Sequence, residues 1–105
     1  MDLPQIEEVK DVIATRKLTY VSNVGLREEA LIEIGKPYKF ESDTYICPYR
    51  IGSNSYERIY YSVGFDSLQV IRFAMDTIRV ELKHWLREKG GSFEFLDEPG
   101  TGLEE

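Results

Sequence analysis

The sequence predicts an α+β fold of two layers, a four- to five-stranded antiparallel meander packed against one long C-terminal helix. From Val12 to Phe65 the residues alternate between apolar and polar in four runs separated by turn formers, the period of strands with one buried face. From Asp66 to Gly90 the apolar residues recur instead at the three- and four-residue steps of a helix. A sheet with one apolar face and a helix with one apolar stripe must cover each other, so two layers follow. At 105 residues and 42% apolar content the chain is sized for a single domain over residues 1–105, with an acidic N-terminal segment, residues 1–11, and an acidic flexible tail, residues 97–105.

Within the acidic segment Leu3, Ile6 and Val9 keep a spacing of three that fits one or two helical turns after Pro4. The first strand, Val12 to Val21, sets Ala14, Arg16, Leu18 and Tyr20 on one face and Ile13, Thr15, Lys17, Thr19 and Val21 on the other. Asn23 and Gly25 tolerate the positive φ of a tight reversal, and a second strand, about Glu28 to Ile34, stops at Gly35-Lys36-Pro37, where proline removes the ladder donor. The segment to Asp43 reads as a connection. A third strand, Thr44 to Ile51, turns Tyr45, Cys47, Tyr49 and Ile51 one way and Ile46, Pro48 and Arg50 the other. A fourth, Tyr56 to Phe65, separates Ile59, Tyr61, Val63 and Phe65 from Arg58, Tyr60, Ser62 and Gly64. A three-residue loop, Ser53 to Ser55, keeps the apolar sets together by pairing Tyr49 with Ile59 and Cys47 with Tyr61, and it sets Arg50 across from Arg58.

The helix carries its own start and stop signals. Asp66 is placed to cap the first turn and Gln69 to complete a capping box, with Leu68, Ile71, Met75, Ile78, Leu82, Trp85 and Leu86 as the apolar stripe. Arg72, Asp76, Arg79, Lys83 and Arg87 lie opposite, and Gly90-Gly91 ends the helix behind cations that suit its negative end. Ser92 to Leu96 alternates briefly as a last strand that returns to a sheet edge.

Charge and composition exclude several functions. The net charge of -6 belongs to the ends: four acids face Lys10 alone in residues 1–11, five acids and no base occupy residues 94–105, and twelve bases meet ten acids between. A pI near 4.8 argues against a nucleic-acid partner, which needs a basic field over the domain. No stretch is long and apolar enough for a membrane span, and the acidic N-terminus is unlike a signal peptide. A single cysteine, Cys47, fits a reducing, cytoplasmic setting.

No catalytic constellation emerges, so an enzyme is not expected, and no metal or cofactor is assigned. Cys47 lies mid-strand on the apolar face with no base or cation beside it, as a small buried hydrophobe would. His84, the only histidine, stands between Lys83 and Trp85 without a second ligand at metal spacing. Asp66-Ser67 at a strand-to-helix junction lacks the flanking glycines of a nucleophile elbow and is explained by capping. The far face of the sheet is more informative. There Arg50, Arg58 and Tyr60 form a candidate partner-binding set, because two opposed arginines repel unless an anionic group joins them, and Arg with Tyr is enriched where proteins meet.

The motifs Arg16-x-Leu18-Thr19, Ile34-Gly35-x-Pro37, Cys47-Pro48-Tyr49-Arg50-Ile51 and Gly64-x-Asp66-Ser67-Leu68-Gln69 resemble, in order and spacing, a family of small bacterial domains of unknown function over roughly residues 14–96. The resemblance implies a bacterial origin and the sheet-plus-helix layout, and carries over no activity and no site residue. The expectation is a non-enzymatic interaction protein, an immunity- or inhibitor-like protein being its most concrete form, whose partner is another protein or a second copy. The alternative is a small-molecule or anion-binding accessory domain.

Overall fold

A computed structural model describes residues 3–104; Met1, Asp2 and Glu105, which belong to the two acidic ends, lie outside the described residues. Among the described residues one antiparallel sheet holds β1 (Val12–Val21), β2 (Arg27–Gly35), β3 (Tyr38–Glu41), β4 (Thr44–Gly52), β5 (Glu57–Gly64), β6 (Ser92–Phe95) and β7 (Glu98–Pro99). A single helix, α1 (Ser67–Lys89), joins β5 to β6. β5 pairs along one edge of β4, while β2 and β3 share the other, β2 meeting Tyr49–Gly52 and β3 meeting Thr44–Ile46. β1 lies beside β2, β6 beside β1 and β7 beside β6, which leaves β3, β5 and β7 each paired on one side only. β3 falls in the segment expected to be a connection: Pro37 interrupts the ladder, and Tyr38–Glu41 then pairs again with β4.

The helix packs chiefly over β4 and β5. Leu18, Tyr20, Ala30, Ile32, Ile34, Cys47, Tyr49 and Ile51 form the inner face of the sheet against Val70, Ala74, Ile78, Leu82 and Trp85. Burying each of the larger of these side chains contributes on the order of 1.5–3 kcal/mol. The apolar stripe expected from the sequence is thus rotated in its first turns: Leu68 is 79% exposed and Met75 45%, and Val70 and Ala74 take the buried positions. The short junction fixes this phase. Only Phe65 and Asp66 separate β5 from α1, the Ser62 hydroxyl donates to the Val70 carbonyl at 2.6 Å, and Gly64 leaves room for the Gln69 side chain. The expected capping is present, with Asp66 Oδ1 accepting from Gln69 N and Gln69 Oε1 accepting from Phe65 N, each at 2.7 Å.

The expected register of β4 and β5 is corrected by one residue. Ser53 to Tyr56 form a four-residue loop, closed by Ser53 N donating to the Tyr56 carbonyl at 2.7 Å, so Tyr49 pairs with Tyr60, Arg50 with Ile59, Ile51 with Arg58 and Cys47 with Ser62. Two forces favour this register over the one with opposed arginines. Tyr56 leaves the strand to stack on Trp85 at 4.5 Å, and Arg50 and Arg58 each gain carboxylate partners instead of facing each other.

The terminal segments of the described residues are held to the body. Residues 3–10 form no helical turn; Val9 lies over Gly35 and Pro48 on the far face, and Lys36 N donates to the Asp11 carbonyl at 3.0 Å. Residues 98–104, in the tail region, fold back as a strap. Arg16 Nη1 donates to the Thr101 carbonyl at 3.2 Å and its guanidinium sits 4.1 Å from the Phe95 ring centre. The Glu104 carboxylate accepts from Thr101 N at 2.7 Å, Thr101 Oγ1 at 2.9 Å and Gly102 N at 3.0 Å. Backbone and hydroxyl donors on one carboxylate outweigh the net repulsion of an acidic tail.

Candidate functional site on the outer flank of the helix

The three candidate binding residues do not share a surface. Arg50 points to the far face, where its guanidinium lies along the sheet over Gly52, 3.5 Å from Glu33 and 2.8 Å from Glu57. Arg58 points to the helix side, as its register with Ile51 requires, and meets Glu81 of α1 at 2.9 Å. Tyr60 stays with Arg58: the guanidinium carbon lies 5.1 Å from its ring centre, and the residue is 45% exposed. The sheet therefore joins Arg58 to Tyr60 and separates both from Arg50, whose charge is already met by two carboxylates.

Around Arg58 the outer flank forms a cleft of about 340 Å³ lined by Tyr56, Glu57, Glu81, His84 and Glu88. His84 Nε2 stands 3.1 Å from Glu88 Oε1. The Tyr49 hydroxyl is buried without a hydrogen-bond partner, and burial, with the charge of Glu81 added, pushes it up to about 12. It is therefore a neutral phenol at any ordinary pH. Trp85 Nε1 is likewise buried and unpartnered. Cys47 is fully buried, its Sγ 3.5 Å from the Gly35 carbonyl, and desolvation pushes the thiol up to about 11, so the thiolate that nucleophilic chemistry needs is suppressed. Among the described residues no group of three or more His, Cys, Asp or Glu side chains stands where it could hold a metal ion.

The sequence reading missed two members of this flank. Phe73 is 40% exposed and Val80 57%, seven residues apart on the side of α1 that overhangs β5. Their spacing is the available signal, and it was masked because the stripe drawn through Leu68 and Met75 left no reason for a second apolar row. Ser62 meets Val70 and Arg58 meets Glu81, so Tyr60, midway along β5, stands beside the turn that carries Phe73 and Thr77. Tyr60 and Tyr61 leave the strand on opposite faces, yet their ring centres lie 4.7 Å apart, which they reach by leaning round the unpaired edge of β5.

The model of a domain of unknown function, DUF6968, matches residues 14–104, a span that runs from the third residue of β1 through the strap. The chain belongs to the DUF6968 family. Neither the comparison with curated proteins nor that with solved structures found a match. Family membership thus brings no activity to the DUF6968 domain, and its function must be argued from its own surface. No helix among the described residues is long and apolar enough to cross a membrane.

Proposed function

We propose that this DUF6968 domain is a non-enzymatic protein-interaction module of the bacterial cytoplasm, of the kind an immunity protein or inhibitor exemplifies, and that its contact surface is the outer flank of α1 and β5. One observation carries the reading: Tyr60, with the Arg58 guanidinium 5.1 Å from its ring centre, and Phe73 and Val80 are all exposed on two elements, β5 and α1, that pack against each other. Aromatic residues with arginine on an ordered surface supply large contact area at low entropic cost. Arg50 supports the sheet from the opposite face and takes no part. The test is affinity capture from the source organism with the native chain and with Tyr60→Ala and Phe73→Ser variants. A partner retained by the native chain and released by both variants is expected; a partner retained equally by all three places the contact elsewhere.

A second reading, a small-molecule site, draws on the cleft at Arg58 and the unpartnered Tyr49 hydroxyl beneath the sheet–helix interface. A ligand that binds the native state must raise its melting temperature. A thermal-shift panel of anions and metabolites, run on the native chain and on Arg58→Gln, separates this reading from the first.

A further inference from the structure

From the charges on α1 we infer that the partner of this flank is an acidic protein surface with an apolar centre, an inference that rests on the interaction reading above and specifies the chemistry of what docks. Each acid of the helix has a side-chain partner: Asp76 pairs with Arg79 at 3.2 Å, Glu81 with Arg58 at 2.9 Å, and Glu88 lies 3.1 Å from His84 Nε2. Its exposed cations are not. Among the described residues Arg72, Lys83, Arg87 and Lys89 make no ion pair, in a chain with 19 acids to 13 bases. Arg87 and Lys89 have a local reason, since they stand in the last turn, where the helix end is negative. That reason does not extend to Lys83 or Arg72, which lie outside the last turn.

Position ties these cations to the apolar flank. At 3.6 residues per turn Arg72, Lys83 and Arg87 fall within about 60° of arc, and Val80 and Phe73 occupy about the next 40°. A partner that covers Phe73 and Val80 therefore comes under the guanidinium of Arg72 and the ammonium of Lys83. Burying those cations against a neutral or basic surface costs desolvation with nothing in return, whereas Asp and Glu at the rim of an apolar contact neutralise them and speed encounter. A nucleic acid would use the cations alone. The adjoining Val80 and Phe73 and the overall acidity of the chain favour protein.

The test places a photo-activatable benzoylphenylalanine at position 73 of the full chain in cells of the source organism, and sequences the peptide joined to it. Expected is an adduct with a segment rich in Asp and Glu, its yield cut about tenfold by Arg72→Glu/Lys83→Glu/Arg87→Glu and by Arg72→Gln/Lys83→Gln/Arg87→Gln, both shown folded by circular dichroism. An adduct with a neutral or basic protein segment, or one indifferent to both triple variants, overturns the inference and leaves the interaction reading standing. A nuclease-sensitive adduct overturns it in favour of nucleic acid. With no adduct from position 73, both the inference and this placement of the interaction surface fall.

Discussion

The Tyr20 hydroxyl of β1 donates to the Gly90 carbonyl at 2.7 Å, pinning the C-terminal end of α1 to the middle of the sheet. Gly91, at φ 87°, follows so closely on Val21 that a Cβ would overlap the Val21 carbonyl. Gly91→Ala is therefore expected to destabilise the protein by about 2 kcal/mol or more, through both the backbone conformation and the clash. Tyr20→Phe, which keeps the rings packed and removes one hydrogen bond, should cost about 1 kcal/mol. Urea unfolding followed by tryptophan fluorescence measures both; a larger effect from Tyr20→Phe than from Gly91→Ala would mean that the hydroxyl, not the close approach, dominates this corner.

The β6–β7 turn predicts a gain. Leu96 and Asp97 both hold positive φ, 52° and 66°, and the leucine is 79% exposed, so it contributes little packing. Asn-Gly is the pair that such a two-residue turn favours. Leu96→Asn with Asp97→Gly should stabilise the fold by about 1 kcal/mol, read as a rise of roughly 4–8 °C in Tm.

Tyr60 and Tyr61 hold their rings 4.7 Å apart on β5, whose outer edge is unpaired. Open strand edges template pairing with other chains. Replacing both with Ala is expected to produce concentration-dependent self-association in sedimentation velocity, whereas Tyr60→Ala alone, which leaves one ring over the edge, should produce less. A double variant that stays monomeric would show that the rings do not guard this edge.

Acid should loosen the strap. Glu104 is held at about 2, below its ordinary 4.5, by backbone donors from Thr101 and Gly102 and by the Thr101 hydroxyl. A folded-state value below the unfolded one means that this contribution is complete above about 4.5 and disappears as pH falls toward about 2. Glu104→Gln should remove that part of the acid sensitivity and lower stability at neutral pH. The strap's amide exchange by NMR between pH 5 and pH 2 reports it, since the signal to follow is local.

Cys47 should react only when the protein opens. With the thiol buried and pushed up to about 11, labelling by a disulfide reagent at pH 8 is expected to follow the rate of opening rather than the reagent concentration. Fast labelling of the native chain would revive a catalytic reading for this residue.

The strand β1 and the extent of α1 were legible because each rests on local chemistry: alternation over ten residues, an aspartate cap and a glycine stop. The register of β5 was not. Parity assumes that the buried face of a strand is the apolar one, but the inner face of β5 carries Ser62 and Gly64, whose value is their small size, under the first turns of α1, and Arg58, whose value is Glu81, farther along the helix. The candidate surface inherited that error, so Arg50 was grouped with two residues on the other side of the sheet. The strap was hidden for a different reason. Its anchor joins Arg16 to Thr101, 85 positions apart, through a backbone carbonyl that no side-chain pattern announces.

The order of the strands also distributes charge across the molecule. Asp97, Glu98 and Glu104 are exposed at the β6–β7 border, whereas the basic ridge of α1 rides over β4 and β5 on the other side of the sheet. Charge set unevenly between these two borders lets an electric field turn a molecule before contact. A negatively charged surface repels most of this protein yet rotates it helix-first, so added salt should slow correct encounters more than it weakens a finished complex.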